Sequence, residues 1–150
     1  MKQLRIYVDT SVIGGCFDEE FAEDSKTLLQ MVTDGKIRLI VSNILADELE
    51  LAPQEVQKKF GALPPQHLEA VQQSKETERL RDLYLDAEVV GEARKNDAHH
   101  VAIATVARAD MIVSWNFKHI VHFEKIRGFN AVNIREGYLP IDIRSPKEVV

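Results

Sequence analysis

The sequence predicts an α/β domain built on a parallel sheet with helices packed against it, and three observations carry that prediction. Short apolar runs rich in β-branched residues recur at Leu4–Val8, Ile37–Val41 and Met111–Ser114. Segments with helical spacing of apolar residues separate them. Capping and turn residues mark the joints between the two patterns. Strands that alternate with helices pair in parallel, because each helix carries the chain back to the edge where the previous strand began.

Taken in order, Leu4–Val8 reads as a buried strand that ends on Asp9, and a loop through Asp9-Thr10-Ser11 follows. Gly14-Gly15 marks a break, after which Phe21, Leu28, Leu29 and Val32 recur at helical spacing until Asp34-Gly35 stops the helix. Ile37–Val41 is the second strand. Ser42-Asn43 then supplies N-cap chemistry for a helix carrying Leu45, Glu48 and Leu49. Pro53 opens a helix running to Phe60, and Gly61 with Pro64-Pro65 makes a loop. Leu80, Leu83 and Tyr84 give one face to a helix over Lys75–Ala87, so this central region reads as a helical insertion.

Asn96-Asp97 opens a helix to about Ala109 that is apolar on nearly every side, as expected of a helix packed on both flanks. Met111–Ser114 is the next strand, Lys118–Ile126 a helix and Ala131–Ile134 a last strand, giving a sheet of four to five strands. The tail beyond Tyr138, with Pro140 and Pro146, reads as extended. At 150 residues the chain is expected to form a single domain over 1–150.

Composition bounds the function. Hydrophobic residues are 45% and charged residues 29%, the mix of a soluble globular protein and not of a disordered or fibrous one. No apolar run approaches the ~18 residues of a membrane span. The start, Met1 to Asp9, lacks the apolar core of a signal peptide, so a cytoplasmic protein with no membrane partner is expected. The one cysteine, Cys16, cannot form an internal disulfide and reads as a reduced structural thiol. The net charge of -5 argues against a broad nucleic-acid-binding face, and Arg5, Arg38, Arg94, Lys95, Lys118, Lys125 and Arg127 are scattered in sequence. It leaves room for a carboxylate cluster that binds cations.

In open parallel sheets ligands gather at the C-terminal ends of the strands. The polar residues there are few: Asp9 after the first strand, Glu48 in the helix after the second, Asp97 at the start of the buried helix, and Asn116 after the Met111 strand. Three carboxylates at one sheet edge repel one another unless a divalent cation neutralises them. Hard ions such as magnesium or manganese prefer oxygen ligands and work on phosphate oxygens, which points to phosphodiester chemistry. Asp47 and Glu50 compete with Glu48 as plain solvated charge, but the Leu45–Leu49 spacing sets Glu48 beside the buried face. Asp9 as a cap and Asp97 as a favourable charge at a helix N-terminus are the ordinary alternatives.

With Tyr7-Val8-Asp9-Thr10-Ser11, Ser42-Asn43-Ile44-Leu45-Ala46-Asp47-Glu48-Leu49 and Asn96-Asp97-Ala98-His99-His100-Val101-Ala102-Ile103-Ala104 in this order, the chain resembles the PIN-domain family. The resemblance, which extends to toxin ribonucleases of bacterial toxin-antitoxin pairs, implies a three-layer α/β/α fold. It implies an endoribonuclease that uses Mg2+ or Mn2+ held by Asp9, Glu48 and Asp97. By the same resemblance Thr10 or Ser11 supports the metal site, and RNA, a cognate antitoxin and a second copy of the chain are the expected partners. The chain departs from the pattern at Asn116, where many members have an Asp, which would weaken a second metal ion.

Other readings are less well supported. A PIN-like domain weakened by Asn116 could serve as an RNA- or protein-binding module. A phosphotransfer domain with an aspartyl nucleophile would need an acidic residue where Ser11 stands, or an acidic pair before the first strand. No glycine-rich phosphate loop and no Gly-x-Ser-x-Gly elbow occurs. His99 and His100 point about 100° apart on a helix and read as packing residues, His119 and His122 as surface residues, and Trp115 as an aromatic at the core edge.

Overall fold

The computed structural model describes residues 3–150, so Met1 and Lys2, the first residues of the segment read as lacking a signal peptide, lie outside the described residues. Five parallel strands form one sheet in the order β3-β2-β1-β4-β5: β1 (Leu4–Val8), β2 (Ile37–Ser42), β3 (Leu68–Val71), β4 (Met111–Val113) and β5 (Asp142–Arg144). The helices are α1 (Thr10–Gly14), α2 (Ala22–Thr33), α3 (Asn43–Glu50), α4 (Gln54–Gly61), α5 (Lys75–Asp86), α6 (Lys95–Val106) and α7 (Phe123–Arg135).

The period of two along each strand divides the core into two layers. Ile6, Val8, Leu39 and Val113 face a cluster with Leu28, Leu29 and Val32 of α2, Leu45 and Leu49 of α3, and Val56 of α4. Tyr7, Ile40 and Ile112 face the other way, onto Leu80 and Tyr84 of α5, Val101 and Ile103 of α6, and Phe129 and Val132 of α7. The result is the expected three-layer α/β/α sandwich. Ala98 to Thr105 of α6 are all buried, which is why that helix lacks a polar face.

Local chemistry explains the joints. The Ser42 hydroxyl accepts from the backbone N–H of Leu45 and caps α3. Ser74 and Thr77 cap α5 reciprocally. Gly35, at φ +75°, ends the turn after α2 in a conformation that a side chain would strain.

Five expectations need correction. Asp9-Thr10-Ser11 is not a loop: α1 begins directly after Asp9 and runs into a tight turn over Gly15–Phe17. Ala131–Ile134 is not a strand but the last turns of α7, with Val132 and Asn133 buried. The helix expected over Lys118–Ile126 starts only at Phe123. The last strand is β5 in the tail, and the central region read as a helical insertion also contains the edge strand β3.

Candidate metal centre

The chain steps from β1 outward through β2 to β3, then returns to place β4 on the other side of β1. That reversal opens a crevice at the C-terminal ends of β1 and β4, the usual ligand position in such sheets. Asp9 ends β1 there. It occupies the N-cap position of α1 but makes no capping bond. Its buried carboxylate instead accepts from the Ser11 hydroxyl on Oδ1 at 2.5 Å and from the Ser114 hydroxyl on Oδ2 at 2.7 Å. Burial raises the Asp9 pKa, against the charge of His100 and the two serine hydroxyls, and the charge of Glu48 adds to the rise.

Glu48 reaches the same crevice from α3. Its Oε1 accepts from the Thr10 hydroxyl at 2.8 Å and meets His100 Nε2 at 2.7 Å. Burial works against its charge, yet these two hydrogen bonds and the charge of His100 bring its pKa below the usual glutamate value. Asp47 and Glu50, its competitors in the sequence, are exposed.

A cleft of about 460 Å³ is lined by Asp9, Thr10, Ser11, Glu48, Asp97 and Asn116, together with His100 and Trp115. The structure therefore brings the candidate site residues Asp9, Thr10, Ser11, Glu48, Asp97 and Asn116 to one cleft. Asn116 is partly committed, because its Oδ1 accepts from the backbone N–H of His119 at 2.9 Å. The donor set is almost entirely oxygen, as a hard divalent cation requires, and the buried His100 spends Nε2 on Glu48. Among the described residues no three His, Cys, Asp or Glu side chains close on one point as a ready cage.

Some neighbours escaped the sequence reading. Asp18, an exposed acid at the rim, lines the cleft while its Oδ1 accepts from the Glu20 backbone. Ser114 holds Asp9. His100 bridges Glu48 and Tyr7, and its spacing of three residues from Asp97 on one helix face was the available signal. His99 is buried and packs as expected, with Nε2 3.1 Å from the Thr77 hydroxyl. Trp115 is 8% exposed, stacks on Phe21 and donates to the Ser25 hydroxyl, so it belongs to the core edge.

Among the scattered cations, Arg127 lies over the Phe123 ring, and others fall at the two ends of the sheet. Arg5 and Arg38 pair with Glu69; Arg5 stands near the start of β1, at the strand's other end from Asp9. Arg94 and Lys95 line a hollow that shares Asp97 with the cleft. Burial, then Arg94, Lys118 and Lys125, lower the pKa of His119, against the charge of Asp97.

A family model described as the PIN domain matches residues 5–118, the segment that holds Asp9, Glu48, Asp97 and Asn116. The chain belongs to the PIN domain family. A crystal structure of VapBC2 from Rickettsia felis, bound to a DNA fragment from its promoter, shares the fold of this PIN domain at a TM-score of 0.59. The two are 14% identical, and the match covers 95% of this chain and 98% of that one. No curated protein sequence gives a significant match. No helix among the described residues is long and apolar enough to cross a membrane.

Proposed function

We propose that this PIN domain is an endoribonuclease dependent on Mg2+ or Mn2+, and the toxin of a toxin-antitoxin pair. The observation that carries the proposal is the convergence of Asp9, Glu48 and Asp97 on one cleft at the sheet's topological switch point. These three carboxylates would hold the ion. When bound, it would make a water more acidic and offset charge on the scissile phosphate.

The chain's own residues prepare for that role. Ser11 and Ser114 fix the two oxygens of Asp9, and Thr10 fixes one oxygen of Glu48. Burial makes the Asp9 carboxylate costly to ionise alone, and a cation beside it favours the ionised form. Arg94 and Lys95 share a hollow with Asp97, where they could meet the phosphates flanking the cut. The toxin assignment rests on family membership and on the fold shared with VapBC2; an antitoxin and a second copy of this chain are the partners it implies.

The test is incubation of purified protein with a mixed structured RNA pool in Mg2+, in Mn2+ and in EDTA. Cutting in either metal and none in EDTA is expected. A folded protein that binds the pool without cutting it would favour the binding-module reading. Growth arrest on expression, relieved by a protein encoded beside it, would support the toxin role.

A further inference from the structure

One hydrogen-bonded chain leaves α3 at its N-cap and returns to α3 at Glu48. The Leu45 N–H donates to Ser42 Oγ at 3.2 Å. Ser42 Oγ lies 2.8 Å from the Tyr7 hydroxyl, and that hydroxyl lies 2.6 Å from His100 Nδ1. His100 Nε2 lies 2.7 Å from Glu48 Oε1. Tyr7, Ser42 and His100 are all buried.

Proton counting orders the chain. A carboxylate accepts only, so Nε2 carries the proton given to Glu48. With the ring neutral, Nδ1 accepts from Tyr7, Tyr7 accepts from Ser42, and Ser42 accepts from the Leu45 backbone. Every buried donor then has an acceptor, and every link runs toward Glu48. With the ring protonated, Nδ1 donates to Tyr7 instead, and Nε2 still serves Glu48.

The chain also spans the three elements that carry the carboxylates. Tyr7 is on β1 two residues before Asp9, His100 is on α6 three residues after Asp97, and Ser42 caps α3, within which Glu48 lies. Both hydrogen bonds to Glu48 fall on Oε1, one from Thr10 and one from His100. That fixes the rotation of the carboxylate and directs its second oxygen away from the partners that hold Oε1.

We infer that Tyr7 and His100 are positioning residues of the metal centre, locking Glu48 in the orientation in which it binds the cation. The inference rests on the metal reading proposed above. Neither residue touches the ion. Groups that orient metal ligands in this manner change metal affinity when removed, commonly by about 10-fold or more.

Saturable binding of Mn2+ alone, without RNA, tests the inference well below the unfolding temperature. The variants are Tyr7→Phe, His100→Gln, His100→Leu and, as a comparison, Tyr84→Phe. Tyr84 has a buried hydroxyl bonded to Asn133 in the core between α5 and α7, so its loss lowers stability without touching this chain. Tyr7→Phe should weaken Mn2+ binding about 10-fold. His100→Gln, whose amide N–H can still reach Glu48, should bind more tightly than His100→Leu, and Tyr84→Phe should bind as wild type does. Folded Tyr7→Phe with wild-type Mn2+ affinity would overturn the positioning role and leave the metal reading intact. Absence of saturable Mn2+ binding by wild type would overturn the metal reading, and this role with it.

Discussion

The Ser114 hydroxyl donates to Asp9 Oδ2 at 2.7 Å, joining the end of β4 to the end of β1 across the switch point of the sheet. Ser114 is fully buried, and its hydroxyl also accepts from the backbone N–H of Asn116 at 2.9 Å. One side chain thus orients a carboxylate and shapes the loop that carries Asn116. Ser114→Ala should leave the fold intact and reduce metal-dependent cutting by about 10-fold, as loss of a ligand-orienting bond commonly does. Cleavage rates at saturating Mn2+, alongside a thermal unfolding curve, check this.

Asn116 offers a gain-of-function test. Its Oδ1 already accepts from the His119 backbone, and an aspartate would keep that bond while adding charge to the cleft. Cation affinity rises with the charge of the ligand set. Asn116→Asp should lower the Mn2+ concentration needed for half-maximal cutting severalfold, as read from a metal titration.

Gly15 is required by space. A Cβ there would stand 2.5 Å from Ser25 Oγ and 2.7 Å from Trp115 Nε1, the two atoms that hydrogen-bond each other behind the cleft. Both belong to well-packed side chains, so Gly15→Ala should cost roughly 1–3 kcal/mol of stability, the range seen for overpacking. The denaturant midpoint measures it.

The cluster at the start of β1 gives a pH signature. A hydrogen bond from Arg5, with the Arg5 and Arg38 charges, holds the Glu69 pKa below its usual value against partial burial. A depressed carboxylate stabilises the fold at neutral pH, and that contribution is lost as pH falls through the folded-state pKa. Glu69→Gln should therefore be less stable than wild type at pH 7 by up to about 1 kcal/mol, given the solvent exposure of the pair. The gap should close in acid, as thermal unfolding at a series of pH values would show.

The legible parts of the sequence were those with enough residues to set a period. The strands β1 and β2 are five and six residues long and mostly buried, and their hydrophobic runs were plain. β5 has three residues and buries one, and β3 has four with none fully buried, so these edge strands left no pattern to read. Ala131–Ile134 misled because a short apolar run fits strand or helix equally, and only Phe129 and Val132 on one face reveal the helix. Asp9, Glu48, Asp97 and Asn116, which line one cleft, were visible from their places just after strands or within the helices that follow them. Ser114 and Tyr7 were not, because a serine or tyrosine in a buried strand shows its partner only when the strands are in register.

The most direct test of the account compares wild type with Asp9→Asn and Asp97→Asn at equal concentration, on one RNA pool, in saturating Mn2+ and in EDTA. Each substitution keeps the side chain's size and removes a charge that the proposed ion requires. Wild type should cut in Mn2+ alone, with both variants folded and inactive. Cutting that persists in EDTA, or in both folded variants at the wild-type rate, would contradict it.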